Sequence, residues 1–355
     1  MKTVLAIAAV AASAGAQAQS SVTVAGVADA AIRQVSNDGV GTDRSLASGG
    51  NATSRLIVRG TEDLGDGLSA AFWLEHGLAL DTGTPAQATQ FWDRRSTVSL
   101  ASKSLGEIRA GRDFVPSYSN WSRYDPFAYV GVGSSSNLVS ASPTGPIRGA
   151  FGSNPNTTVR ASNSVQWLMP SGWGGLEGGV MVAAGEGGLA ANGQHKVVGA
   201  RVGYAAAGWG VSAAHSRTTN DLTADDAFTD SAVGANAGFG VVRVSAAWRR
   251  FRQLDATQTN LLLGAWVPMG SGEWKLSWTR ANLSGQVGGT SIDDNDASQI
   301  ALGYVYNLSK RSALYGTLSR ITNSGAATYV VPGGPKGLAG GDSSRGIEAG
   351  LRHSF

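Results

Sequence analysis

Much of this chain alternates apolar and polar residues with a period of two, a pattern that strands satisfy and helices do not. From Val22 to Arg33, Val22, Val24, Ala28, Ala30 and Ile32 share one parity, and Thr23, Asp29 and Arg33 share the other. Between Arg55 and Glu62, Leu56 and Val58 oppose Arg55 and Arg59; next, Leu68, Ala70, Phe72 and Leu74 oppose Ser69, Trp73 and Glu75. Each strand thus has an apolar face and a face able to hold charge. In a soluble sandwich the apolar face is the core. In a membrane barrel it meets lipid, and the charged face lines a wet lumen.

Connection lengths separate these two readings. Short turns near Asp63–Gly67, Ala101–Leu105, Pro170–Gly174, Ala206–Trp209, Gly238–Gly240, Pro268–Gly272 and Asn307–Arg311 take turns with longer polar links. The longer links lie near 36–52, 82–89, 114–157, 185–195, 218–227, 252–257, 286–297 and 323–342. Short turns at one end and long loops at the other are the asymmetry of an all-β transmembrane antiparallel barrel, here of about 16 strands. No segment after the leader approaches the ~18 apolar residues of a spanning helix. Trp and Tyr near the strand ends (Trp92, Trp167, Trp173, Trp209, Trp266, Trp274, Tyr304, Tyr306, Tyr315) suit interfacial girdles.

Residues 1–18 have the three parts of a secretory signal: Lys2, an apolar stretch from Val4 to Ala12, and the small-residue site Ala16-Gln17-Ala18. The expected division is a signal peptide over 1–18 and a barrel over 19–355. With no cysteine, disulfide staples and thiolate metal sites are excluded. A net charge of +3 is too small to argue for nucleic acid. Fifty Gly and ten Trp fit many short strands joined by tight turns.

The link from Phe114 to Thr157 is far longer than the usual ~4–6 residues, which marks it as functional or disordered. Tyr118, Trp121, Tyr124, Phe127, Tyr129 and Phe151 give it surface to pack against a wall, and Arg123, Asp125 and Arg148 give it charge. It is expected to fold into the lumen.

The motifs Ser20-Ser21-Val22-Thr23-Val24-Ala25-Gly26-Val27-Ala28-Asp29-Ala30, Ser54-Arg55-Leu56-Ile57-Val58-Arg59-Gly60-Thr61-Glu62-Asp63-Leu64-Gly65, Leu105-Gly106-Glu107-Ile108-Arg109-Ala110-Gly111-Arg112, Asn163-Ser164-Val165, Tyr306-Asn307-Leu308-Ser309-Lys310-Arg311 and Gly350-Leu351-Arg352-His353-Ser354-Phe355 together resemble the Gram-negative trimeric porins, in particular their beta-proteobacterial branch. The resemblance covers essentially all of 19–355. It implies a homotrimer in the outer membrane of a Gram-negative bacterium, in contact with outer-membrane lipid and lipopolysaccharide. It also implies passive diffusion of small hydrophilic solutes, no cofactor, and a C-terminal Phe355 read by the barrel-assembly machinery.

The resemblance further implies a constriction of wall arginines facing the inward loop. Arg55 and Arg94 match two of them, and Arg148, on the returning limb of the loop, stands for the third; Arg33, Arg59, Arg112 and Arg160 belong nearby. Asp29, Glu75 and Asp125 are the opposing acids. Arg94 and Arg95, being adjacent, are assigned inward and outward respectively. The chain departs from the family pattern at Trp73, Ala25 and Arg95. An excess of guanidiniums, always charged, predicts a weak anion preference.

Two other functions compete. A solute-specific channel could use Trp73, Trp121 and Tyr124 as an aromatic slide for sugars, or the arginines for anionic solutes. An enzyme would need an activated nucleophile or an acid–base pair, and His76, His195, His215 and His353 show no such spacing. The acidic runs Asp225, Asp226, Asp230 and Asp293, Asp294, Asp296 are read as solvated charge, with no metal assigned.

Overall fold

The computed structural model describes residues 21–139, 145–152, 158–185 and 195–355. The expected leader lies outside them. Sixteen antiparallel strands close into one barrel. They are β1 (Ser21–Asn37), β2 (Arg55–Gly65), β3 (Leu68–Ala79), β4 (Arg95–Ser102), β5 (Gly106–Phe114), β6 (Arg160–Leu168), β7 (Leu176–Ala183) and β8 (Lys196–Ala206), followed by β9 (Trp209–Thr219), β10 (Phe228–Phe239), β11 (Val242–Gln253), β12 (Ala256–Met269), β13 (Gly272–Ser284), β14 (Ala297–Asn307), β15 (Ser312–Asn323) and β16 (Ser343–Ser354). Closure is made by β1. Its first half pairs β2, with Val24 opposite Val58, and its second half pairs β16, with Arg33 opposite Glu348. Phe355 completes the seam through reciprocal backbone hydrogen bonds with Gly26, each 3.1 Å. A further strand, Gly41–Ser48, folds back along the end of β1.

Closure follows from the membrane as solvent. Hydrocarbon offers backbone groups no partners, so a sheet that crosses it cannot keep an open edge. The parity read from sequence appears as burial: Val22, Val24 and Ile32 of β1 are exposed on the outside, while Asp29, Ala31, Arg33 and Val35 are buried within. Outward Trp274 and Tyr304 meet near the short-turn end at 4.7 Å, as do Tyr204 and Trp209 at 5.6 Å. Trp266 and Tyr315 do not belong to that girdle. Both are buried, Trp266 beneath Arg243 at 4.0 Å and Tyr315 against the Asp29 carboxylate.

The turn between β2 and β3 shows why the short connections are so tight. Asp66 and Gly67 both have positive φ, 50° and 77°, the backbone an Asp-Gly hairpin turn requires. One expected long link is short: β11 and β12 are joined through Leu254 and Asp255 alone, because the alternation runs on through Gln253 and Ala256, which pair.

Candidate functional site: a cavity lined by three arginines

The connection between β5 and β6 turns into the lumen. It carries two short helices, α1 (Pro116–Ser122) and α2 (Pro146–Phe151). Wall side chains hold it at several levels. Arg249 of β11 and Asp230 of β10 form a fully buried pair at 2.9 and 2.7 Å, and Ser117 of α1 donates to the same carboxylate at 2.7 Å. Tyr124 meets Ser212 of β9 at 2.5 Å, and Ser245 of β11 donates to the Tyr124 carbonyl at 2.7 Å. Gln258 and Asn260 of β12 both donate to the Leu138 carbonyl, and Gln299 of β14 donates to those of Gly133 and Ser134. The wall makes room as well. A Cβ on Gly234 would lie 2.2 Å from the Tyr124 ring, so only glycine lets the Tyr124 ring, just past α1, lie so close to the strand.

Between this loop and the opposite wall lies a cavity of about 520 Å³. Arg55, Arg94 and Arg160 are its charged lining, and among the described residues no carboxylate lines it; Asn51, Tyr118 and Tyr129 add polar surface. Glu75 of β3 stands behind two of the arginines. Its Oε1 accepts from Arg94 Nε at 2.5 Å and lies 3.4 Å from Arg55 Nε, while Oε2 accepts from the Trp73 indole at 3.2 Å. Trp73 in turn lies under Arg59 at 5.1 Å and Arg95 at 4.7 Å. Arg160 lies over the Phe114 ring at 4.6 Å, and its Nε has no hydrogen-bond partner. Together with Tyr118, Arg55, Arg94 and Arg160 present a basic, partly desolvated surface. Burial pushes the phenols of Tyr118 and Tyr129 upward, so both stay protonated donors.

The remaining expected site residues fall elsewhere. Arg112 is in the wall, donating to the Asp93 carbonyl at 2.7 Å and to Ser162 at 2.9 Å. Arg33 is buried in an ion pair with Glu348, at 2.7 Å. Arg148 is on the exposed side of α2 and does not line the cavity; Arg160, at the start of β6, does. The opposing acids are fewer than expected, for two of them are consumed by backbone. Asp29 accepts from the amides of Gly50, Asn51 and Ala52, and so fixes the segment leading to Arg55. Asp125 accepts from the amides of Phe127, Tyr129 and Ser135 and from the Ser135 hydroxyl, knotting the inward loop on itself, and burial pushes its carboxyl upward.

Arg95 is a correction. It points inward, opposite Glu75 and within 3.5 Å of Asp113, on the same side as Arg94. Alternation does not forbid this, because Arg94 precedes the strand. An aromatic slide is also absent from the cavity: Trp121 and Tyr124 are buried against the wall, and Trp73 is clamped between two guanidiniums. Asp230, grouped in sequence with Asp225 and Asp226, is turned to Arg249, while Asp296 accepts from the Leu283 amide. The four histidines are dispersed: His76 stacks on Phe91, His195 bonds Asn220, His215 meets Ser231 and His353 meets Ser312. The anchoring pair Asp230–Arg249 was not singled out from sequence, although both lie on the polar parity of their strands.

Comparison with known proteins gives consistent relatives. A family model described as Gram-negative porin matches residues 4–326. Outer membrane porin protein 32 of Delftia acidovorans is 35% identical over 373 aligned positions, covering 100% of this chain and 99% of that one. Among solved structures, an anion-selective porin from Comamonas acidovorans superposes with a TM-score of 0.78 at 33% identity, covering 95% of this chain and 100% of the other. OmpT of Vibrio cholerae, in a trimer form, shares the fold at a TM-score of 0.65 and 13% identity, covering 95% of this chain and 99% of the other.

Proposed function

This chain belongs to the Gram-negative porin family, an outer-membrane channel and not an enzyme, and on that premise we propose that it passes small hydrophilic solutes by passive diffusion with a weak preference for anions. One observation carries the proposal: among the described residues, the lining of the lumenal cavity holds three guanidiniums and no carboxylate. Rings of Arg in a narrow pore raise the local anion concentration and disfavour cations. Glu75 keeps the preference weak, because it neutralises part of the charge of Arg55 and Arg94 from behind. A similar porin from Comamonas acidovorans is described as anion-selective, which agrees in direction. Assembly as a homotrimer belongs to the same proposal and rests on family membership.

Influx into liposomes tests it, with a dicarboxylate and a diamine of matched size. The wild-type protein is expected to admit the dicarboxylate faster, and Arg55→Gln/Arg94→Gln/Arg160→Gln to erase the difference. Faster entry of the diamine into wild-type liposomes, or an unchanged ratio in the variant, would contradict the assignment.

A further inference from the structure

Below the cavity, toward the short-turn end, one aromatic ring of the inner wall carries two guanidiniums. Trp73 of β3 pairs in register with Arg59 of β2 and with Thr97 of β4. The Arg59 guanidinium lies 5.1 Å from the centre of the indole, and that of Arg95, at the start of β4, lies 4.7 Å from it. The two strands flank β3, so the arginines approach the ring from opposite sides. The indole N–H is given to Glu75 Oε2 at 3.2 Å. Trp73 and Arg95, two of the positions at which the chain departs from the family pattern, are thus neighbours.

The two guanidiniums differ in what else they hold. Arg95 has a carboxylate within reach, Asp113 at 3.5 Å, and donates to the Thr97 hydroxyl at 3.0 Å. Arg59 is exposed to the lumen and, among the described residues, has no hydrogen bond and no ion pair. Stacking uses the flat face of a guanidinium and leaves the N–H donors in its plane free. Arg59 follows Arg55 on the same parity, about 13 Å further along the strand. An anion that leaves the three-arginine cavity toward the short-turn end therefore meets a second charge with no counter-ion of its own. Trp73 also keeps the nearest carboxylate from cancelling it, because the indole holds Glu75 Oε2 while Oε1 receives Arg94.

We propose that Arg59, held flat on Trp73, is an exit step for anions, and that Trp73 is the positioning residue that makes it one. Conduction needs sites that an ion can leave as well as enter, and a free guanidinium next along the wall eases the step out of the cavity. A cation–π contact at a partly exposed site favours its geometry by about two- to fivefold. Without the ring, Arg59 can fold onto the released Oε2 of Glu75, and its charge is lost to the path. The step rests on the anion path proposed above and adds to it a residue that sets rate, whereas the cavity sets preference.

Single-channel conductance in potassium chloride at about 0.1 M and about 1 M tests this, because the Debye length falls from about 10 Å to about 3 Å between them. The readout is the ratio of the low-salt to the high-salt conductance, which follows fixed charge and not pore width. Arg59→Gln is expected to lower this ratio about twofold. Trp73→Leu should lower it as far, and the double variant Arg59→Gln/Trp73→Leu no further. Trp73→Phe, which keeps a ring face for the guanidinium, should retain most of the wild-type ratio. An unchanged ratio in Arg59→Gln, additive losses in the double variant, or a Trp73→Phe pore as impaired as Trp73→Leu would each overturn the proposal. The zero-current potential recorded on the same channels reports the anion preference itself, so a failure of that reading shows in its sign and a failure of this step in the ratio.

Discussion

Glu75 shows how much of the cavity's chemistry hangs on one side chain. It receives Arg94, adjoins Arg55 and accepts the Trp73 indole, so it both positions the guanidiniums and dilutes their charge. Glu75→Gln is expected to move the zero-current potential further in the anion direction, with lower conductance as Arg94 is freed to enter the pore; a shift toward cations would contradict this. Asp230 has the opposite character, structural and hidden. Removing one partner of a buried ion pair typically costs about 3–5 kcal/mol, because the other charge stays buried alone. Asp230→Asn should therefore lower the thermal unfolding temperature measurably, whereas the exposed Asp38→Asn, whose pair with Arg345 is surface-screened, should leave it nearly unchanged.

At the scale of elements, the inward loop is held as a series of fitted contacts. Gly234→Val would drive a side chain into the Tyr124 ring, lifting the segment that follows α1 from the wall; the expected result is a changed, noisier single-channel conductance in a barrel that still folds. Helix α2 is held differently. His195 Nδ1 accepts from Asn220 Nδ2 at 2.9 Å, Asn220 also donates to the Ala150 carbonyl, and Phe151 packs on the imidazole at 5.2 Å. Burial holds His195 down at about 4, against a smaller opposing pull from Asp221. The unfolded imidazole titrates near ~6.5, so between these values the unfolded chain binds more protons than the folded one. The docking is fully present above pH ~6.5 and weakens as pH falls toward 4. Hydrogen-exchange protection around 146–152 and 219–223, taken relative to the intrinsic exchange rate at each pH, should fall on acidification, and His195→Gln should flatten that response; unchanged protection would contradict the role.

Much of this architecture was legible as parity. Arg55, Glu75 and the inward loop follow from alternation, the loop's length and the family resemblance. Parity fails where a strand begins, which is why Arg94 and Arg95 share a side. It also cannot see hydrogen bonds to backbone, which take Asp29 and Asp125 out of the cavity wall, nor tell that Arg160, at the root of the returning limb, lines the cavity when Arg148, on the exposed side of α2, does not.

For the whole molecule, the alternation of short turns and long loops, the absence of open edges and the outward apolar band are one solution to crossing a bilayer with strands. If three such barrels assemble, conductance should appear in multiples of three; single independent steps would speak against the trimer. The central claim is that the arginine-lined cavity sets the pore's charge preference. Its most direct test is the zero-current potential of the wild-type protein in a planar bilayer under a potassium chloride gradient. A potential of the anion-selective sign, shrinking as salt screens the guanidiniums, is the predicted result, and a cation-selective sign at low salt would contradict the account.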